Sequence, residues 1–588
     1  MPVRSSSLAR PSSLRPLIAL VALLATLLVA TSATASRGHG DGHAAEAKFD
    51  VETDAVYRIE ASSEELTELG NLIDVWTFLP LDGVAIAPLN AEQKARLEAL
   101  GRKLEIDEER TESQLRGVRA LQDAERGGGG GIPGFTCFRT VEETFADLEA
   151  AAALRQDLSE WRDIGDSWLK TVGQGGFDQR VLVLTNESIA GPKPVFLLMS
   201  AMHARELATA EIATRFALHL LNGYGTDPEA TWLLDHREIH IVPQQNPDGR
   251  KRAETGLFWR KNVNNDFCAN SNFRGIDLNR NSTFFWGGPA SSGSTCDETY
   301  RGPSAASEPE TEAIEDYMAL VFLDQKGDMA DPAPDDAQGV FISIHSFGEL
   351  VLFPWEGTNN DSPNHAQLRT LGRKFGFQTD YVVCQDCLGT ASGTTVDVAY
   401  GEYGVAAYTF EVGTDFFQGC AAFESTIYPD NLESMLYAAK VADLPYLKPS
   451  GPEAANLTLS VAQVEAGTPV TLQALIDDGL FDSNGFGTEP TQNIAAARAG
   501  FDLADLEAGG GTAMAAMDGA FDAVQETVTA SVDTTGLTAG SHLLFVVGED
   551  ATGQAGPPAA IFLQITEEAL FEDDFELGNL SRWSSSVP

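Results

Sequence analysis

The sequence is short of positive charge: Lys and Arg total 39 against 86 Asp and Glu, for a net charge of -47 over 588 residues. That balance excludes nucleic acid as a partner, because phosphate binding relies on basic surface. It reads as the solubilising acidic exterior common in exported proteins. Long apolar runs are scarce as well. The only candidate, "PLIALVALLATLLVA" (Pro16 to Ala30), is short for a membrane span of roughly 20 residues. Arg4, Arg10 and Arg15 precede it, and "ATA" at Ala33 to Ala35 follows with small residues suited to cleavage. Residues 1–35 are therefore expected to be a removed signal peptide, which makes the protein secreted with no stable membrane span.

Cysteine is sparse but even in number, at 6 (Cys137, Cys268, Cys296, Cys384, Cys387 and Cys420). An even count in an exported chain points to disulfides. "CQDC" (Cys384 to Cys387) has no second CxxC with which to complete a four-thiolate zinc site. No solenoid-type repeat is present.

What is there divides into several units, as the length suggests. Residues 48–110 alternate strand-like and helix-like segments. "AVYRIEA" reads as a strand, and "SSEELTELG" opens with a Ser62–Glu65 capping box. "VWTFLPLDGVAIAPL" is strand-like, "NAEQKARLEALG" is a helix closed by Gly101, and "KLEIDEE" is a last strand. "RALQDAERGGGGGIPG" then reads as an exposed hinge, since consecutive glycines pack poorly and make good protease substrate. Pattern alone leaves a removable pro-domain and an ordinary linked domain equally open. Residues 137–447 alternate apolar runs ("RVLVLT", "VFLLMS", "EIHIVP", "VFISIH", "AAYTFEV") with helical stretches. This predicts an α/β domain with a largely parallel sheet and helices on both faces. Residues 451–565 switch to short strands with Gly and Asp turns, the pattern of a β-sandwich. The tail "FEDDFELGNLSRWSSSVP" is polar.

The chemistry concentrates where apolar runs end. In "AMHARELATAE", His203 and Glu206 are an i, i+3 pair able to share a metal. His345 also ends an apolar strand, in "FISIHSFGELVLFPW". Two imidazoles and a carboxylate leave a fourth position for water, as catalytic zinc requires. His219, His236, His240, His39 and His43 are poorer candidates by position.

With those residues in place, residues 137–447 resemble the zinc metallocarboxypeptidase family of pancreatic carboxypeptidases A and B and bacterial carboxypeptidase T. "HARE", "NPDG", "FWRKN", "GIDLNRN", "CDETYRG", "SEPET", "IHSFGELVLFPW" and "YTFEVGT" recur in the family's order. The resemblance implies one Zn2+ per catalytic domain, held by His203, Glu206 and His345. It implies Asp277 as the carboxylate orienting the first ligand histidine, Glu411 as general base and Arg260 as the cation that stabilises the oxyanion. Asn279 and Arg280 would clamp the substrate's terminal carboxylate, with Arg205 contacting substrate backbone further from the scissile bond and Ser346 also binding substrate. Cys268 and Cys296 match a disulfide of the family. Cys137, Cys384, Cys387 and Cys420 leave three pairings open.

The resemblance also favours residues 36–126 as an inhibitory pro-segment removed by an activating protease, with Arg126 a candidate cut site. The catalytic domain would span 127–447, the sandwich 448–566 and the tail 567–588. One departure is informative: Gly389, in "CLGTASG", stands where the family carries a mobile Tyr. Val396, before Asp397, aligns with the base of the specificity pocket, and Glu356, in "FPWEGTN", with its wall. Their combination implies release of both apolar and basic C-terminal residues from peptide or protein substrates. Two other readings compete with this one. One is a metallopeptidase or amidohydrolase acting on cell-wall peptides or acylated amino acids; the other is a non-catalytic binding or adhesion protein on a relic peptidase fold.

Overall fold

The computed structural model describes residues 54–70, 72–123, 130–270 and 273–566. The expected signal peptide, Arg126 and the tail 567–588 lie outside the described residues. No helix among the described residues is long and apolar enough to cross a membrane.

The N-terminal domain is an antiparallel sheet, order β2-β3-β1-β4, formed by β1 (Ala55–Glu60), β2 (Thr77–Leu79), β3 (Val84–Leu89) and β4 (Leu104–Ile106). Its helices, Ser63–Gly70 and Ala91–Ala99, start where their caps predict. The Glu65 carboxylate accepts the Ser62 N–H at 2.9 Å, and Asn90 and Gln93 form a complete capping box. Gly101, at φ 80°, ends the second helix in the left-handed region that favours glycine. The expected hinge begins later than the sequence suggested, because Glu108–Asp123 is helical and takes in Arg119 to Asp123. That helix buries Gln114 and Val118. Ser113 Oγ and Gln114 Nε2 donate to the Asp415 carboxylate and anchor the helix, and the helix-forming composition of "RALQ" carries it on to Asp123.

The central domain is built on an eight-stranded sheet. Its strands are β5 (Ser159–Asp166), β6 (Asp178–Leu184), β7 (Val195–Ser200), β8 (Glu238–Val242), β9 (Val340–His345), β10 (Leu350–Leu352), β11 (Val382–Cys384) and β12 (Ala406–Glu411), in the order β11-β10-β12-β9-β7-β8-β6-β5. The inner four, β12, β9, β7 and β8, are parallel. They carry the nearly uninterrupted apolar runs of strands covered on both faces, and every residue of β9 is buried. Antiparallel pairs join β12 to β10, β8 to β6, and β6 to β5. Edge strand β5, "SEWRDIGD", has the polar sequence of a half-exposed edge and carried no strand signal. In register, Glu411 pairs with His345 and Ser200 with Ile344. The carboxyl ends of β7, β9 and β12 therefore open on one crevice, where open α/β sheets place their sites.

The C-terminal domain is a sandwich of a four-stranded and a five-stranded sheet with its own apolar core. Leu503, Leu506 and Phe545 nevertheless belong to the same continuous core as β7 and β9. Arg373 pairs with Glu489 at 2.5 Å and Lys374 with Glu453 at 2.9 Å across the junction.

Three disulfides are formed: Cys268–Cys296, Cys137–Cys420 and Cys384–Cys387. The second clamps the segment after the hinge to the helix start at Cys420, and the third closes the "CQDC" turn on itself.

Candidate active site

The turn after β7 is stiffly held. Ala201 has φ 57°, a left-handed conformation that costs a non-glycine residue about 1–2 kcal/mol. Surrounding bonds hold it there: Ala201 N–H donates to Thr209 Oγ1, Ala204 N–H to Arg260 O, and Asn246 Nδ2 to Met202 O. Glu206 then stands at the N-cap of the helix Leu207–Gly223, yet makes no side-chain cap bond. Buried Arg250 takes up the Glu206 and Leu207 carbonyls, and the Glu206 carboxylate is free to face the crevice.

There it meets both histidines. His203 Nδ1 lies 2.7 Å from Glu206 Oε1, and His345 Nδ1 lies 3.2 Å from Oε2. The two Nδ1 atoms are 3.0 Å apart. The outer nitrogens have their own partners: His203 Nε2 lies 3.2 Å from Asp277 Oδ1, and His345 Nε2 is 2.9 Å from Ser343 Oγ. Partners of that kind fix ring orientation and leave the inner lone pairs for a cation. His203, Glu206 and His345 are the single group of this kind among the described residues, with ligand atoms all within 4.8 Å of one another. Two imidazoles and a carboxylate fit zinc with an open fourth position, and these three residues are the zinc site.

Charge around the site is arranged in pairs. Arg260 Nε and Nη2 donate to Asp277 Oδ2 at 3.1 and 3.0 Å. Burial alone would push the Asp277 carboxyl up, but Arg260 and His203 together hold it well below the usual range. Burial pushes Glu411, at the end of β12, well above that range, and the neighbouring Glu206 carboxylate adds to the effect. Arg280 donates to Ala290 O at 2.8 Å and to Asn279 O at 2.7 Å. The Ser346 N–H donates to Glu206 Oε2 at 3.2 Å.

His203, Arg260, Asn279, Arg280, Glu356 and Glu411 line one cavity of about 130 Å³. Val396 is not among its described lining residues. It is buried in the apolar core, in the helix Thr395–Tyr403, and its neighbour Asp397 contacts Glu356 instead. Gly389 lines the cavity, and no tyrosine does among the described residues. Tyr381 and Tyr400 are tied elsewhere, to Gly413 and Asn364. His219, His236 and His240 are not brought to the site; His240 Nδ1 bonds Tyr317 at 2.6 Å.

The far wall of the cavity is the N-terminal domain. Ile73, Asp74, Val75 and Trp76 line it. Arg205 Nη1 donates to Asp74 Oδ2 at 3.1 Å, and its guanidinium lies 4.2 Å from the Phe416 ring centroid. Trp76 stacks on Phe258 at 5.2 Å and meets Phe416 edge-on at 5.3 Å. Sequence reading missed this plug. "DVW" carries no motif of its own, and its role appears only when the two domains meet.

Comparison with known proteins agrees with this geometry. The family model for zinc carboxypeptidases of peptidase family M14 matches residues 146–436. Carboxypeptidase A2 of Rattus norvegicus is 30% identical over 341 residues, which cover 56% of this chain and 74% of that protein. Carboxypeptidase A1 of the same organism is 27% identical over 423 residues, covering 66% and 93%. Among solved structures, carboxypeptidase A from Helicoverpa armigera superposes with a TM-score of 0.54 at 24% identity, over 67% of this chain and 98% of that one. Thrombin-activatable fibrinolysis inhibitor gives 0.51 at 22% identity, over 66% and 99%. These likenesses in structure concern the fold.

Proposed function

The chain belongs to the zinc carboxypeptidase family, and on that premise we propose that it is a secreted exopeptidase, made as a proenzyme, which removes C-terminal residues from peptides and proteins. The observation that carries this reading is the convergence on one cavity of the zinc ligands, Glu411, and the pair Asn279 and Arg280. Zinc, when bound, supplies the Lewis acidity that activates water and polarises the scissile carbonyl. The side chains do the rest. Arg280, with Asn279, binds the free carboxylate of the last residue, which restricts cleavage to chain ends. Glu411 takes a proton from the attacking water and delivers it to the departing amine, a step suited to a carboxyl raised by burial. Arg260, held by Asp277, faces the oxygen on which negative charge develops.

The N-terminal domain, within residues 36–126, is read as the inhibitory pro-segment. Asp74 and Trp76 stand in the cavity wall against Arg205, Phe258 and Phe416, where an entering peptide end would have to displace them. Secretion is supported by the three disulfides and the leader-like N-terminus. The lining by Glu356 beside apolar Leu352 supports acceptance of both basic and apolar C-terminal residues.

The test is release of C-terminal amino acids from peptides ending in Phe, Arg and Glu by the cut protein, with and without chelator. The reading predicts chelator-sensitive release from free acids and none from C-terminal amides. Equal cleavage of the amides would end the exopeptidase assignment.

A further inference from the structure

Glu356 in the pocket wall has a second carboxyl group behind it, and the proposed function uses only the first. Glu356 lines the cavity beside Arg280, Thr409 and Glu411 and is 7% exposed. Behind it, Asp397 in the helix Thr395–Tyr403 is wholly buried and accepts the backbone N–H of Glu356 at 2.9 Å and of Gly357 at 2.7 Å. Two carboxylates taken out of water side by side cannot both ionise cheaply. Arg280, already committed to the substrate's carboxylate in the reading above, is the cation that acts on Glu356. Glu411, from β12, adds a further negative neighbour.

The hydrogen bonds decide where a shared proton sits. Both Asp397 oxygens are taken by N–H donors, an arrangement that favours its charged form. Glu356 Oε1 lies 2.6 Å from Thr409 Oγ1, and the Thr394 hydroxyl also hydrogen-bonds its carboxyl. A hydroxyl can donate to a carboxylate or accept from a carboxylic acid, so Glu356 stays hydrogen-bonded in either state. The proton belongs on Glu356.

We propose that Glu356, set against buried Asp397, gains and loses a proton and so switches the pocket between a neutral state accepting apolar side chains and a charged state accepting cationic ones. The preferred C-terminal residue then changes with pH. Burial pushes both carboxyls above the usual range, and like charges this close oppose full ionisation of the pair. Below the transition, a C-terminal Arg would be desolvated against a neutral acid and gain little. Above it, Arg is paired, and Phe must lie against an unpaired buried charge. The inference rests on the reading that this cavity receives the side chain of the terminal residue.

The measurement is the ratio of kcat/KM for otherwise identical peptides ending in Arg and in Phe, taken with zinc-loaded protein cut between Asp123 and Gly134. Arg stays charged throughout, and effects common to both substrates, at zinc, Glu411 or Arg280, cancel in the ratio. The ratio should rise by about tenfold or more between about pH 5 and pH 9, the range open to buried carboxyls. Glu356→Gln should flatten the profile at its low-pH value. Asp397→Asn should move the rise to lower pH, because Glu356 then loses its charged neighbour; if that variant does not fold, the wild-type and Glu356→Gln profiles decide. A wild-type ratio that is flat with pH but lowered by Glu356→Gln overturns the switch and leaves Glu356 in the pocket. A flat ratio that Glu356→Gln does not move removes Glu356 from the pocket as well. Release of neither residue at any pH would count against the carboxypeptidase reading itself.

Discussion

Asp74 of the N-terminal domain accepts a hydrogen bond from Arg205 at 3.1 Å, next in sequence to the zinc ligand Glu206. A charge-assisted bond of this kind, sealed by Trp76 against Phe258 and Phe416, contributes about 1.5–3 kcal/mol. Asp74→Asn should therefore raise the activity of the uncut chain by about tenfold to a hundredfold while leaving the cut enzyme unchanged. Initial rates of both forms decide it. An uncut variant as silent as the parent would assign latency to the aromatic plug alone.

The same contact fixes a pH dependence. Burial pushes the Asp74 carboxyl up, but Arg205 and Arg260 outweigh it and hold the group below its ordinary 3.8. A depressed acid contributes docking strength that is complete above its ordinary value and lost as pH falls through the lowered one. The uncut chain should stay latent down to about pH 4. Trp76 fluorescence should report release only in more acidic solution. Release at pH 5 or 6 would place the controlling group elsewhere.

Glu411→Gln should retain zinc, because the three ligands do not include it, and lose about 10²- to 10⁴-fold in kcat. Metal content by atomic absorption, beside turnover, makes the check. Substantial activity with zinc bound would remove Glu411 from proton transfer.

The disulfides should differ in their contribution to stability. Cys137–Cys420 closes 283 residues and Cys384–Cys387 closes 3. Chain-entropy reasoning assigns about 6 kcal/mol to the first and about 2 kcal/mol to the second. Replacing Cys137 and Cys420 by Ser should lower the denaturation midpoint markedly. Replacing Cys384 and Cys387 should act instead on KM, since Gln385, Leu388 and Gly389 line the cavity. Equal losses of stability would contradict the argument.

Ending the chain after Ser450 should leave a poorly soluble catalytic domain. Phe545 meets Trp232 at 6.4 Å edge-on, and Leu503 and Leu506 share the central core. Exposing that face costs about 25 cal/mol per Å² of apolar surface. A soluble fragment with an unchanged midpoint would make the sandwich a dispensable module.

Much of this molecule was legible in its sequence for a physical reason. Strands covered on both faces must be apolar throughout, so β7, β9 and β12 were visible, and His203, His345 and Glu411 stand at or just past their ends. Polar β5 and the short strands β10 and β11 lack that signature and became visible only through their pairing partners. The zinc residues could be read because a metal demands particular atoms. Asp74 could not, because its significance lies in Arg205, distant in sequence and on another domain. Val396 was placed at the pocket by alignment, but the helix Thr395–Tyr403 turns it into the core and presents Asp397 toward Glu356.

The placement of the cysteines has one more consequence. All three disulfides lie at or beyond Cys137, and residues 36–126 contain no cysteine. Before cleavage, the N-terminal domain meets the catalytic domain at the millimolar effective concentration of a tethered partner. On the reading of residues 36–126 as a pro-segment, a single cut between Asp123 and Gly134 abolishes that advantage. Inhibition then becomes an ordinary bimolecular equilibrium. A concentrated cut preparation would remain largely silent and awaken on dilution, and the detached domain would be a diffusible inhibitor of every copy of the enzyme around it.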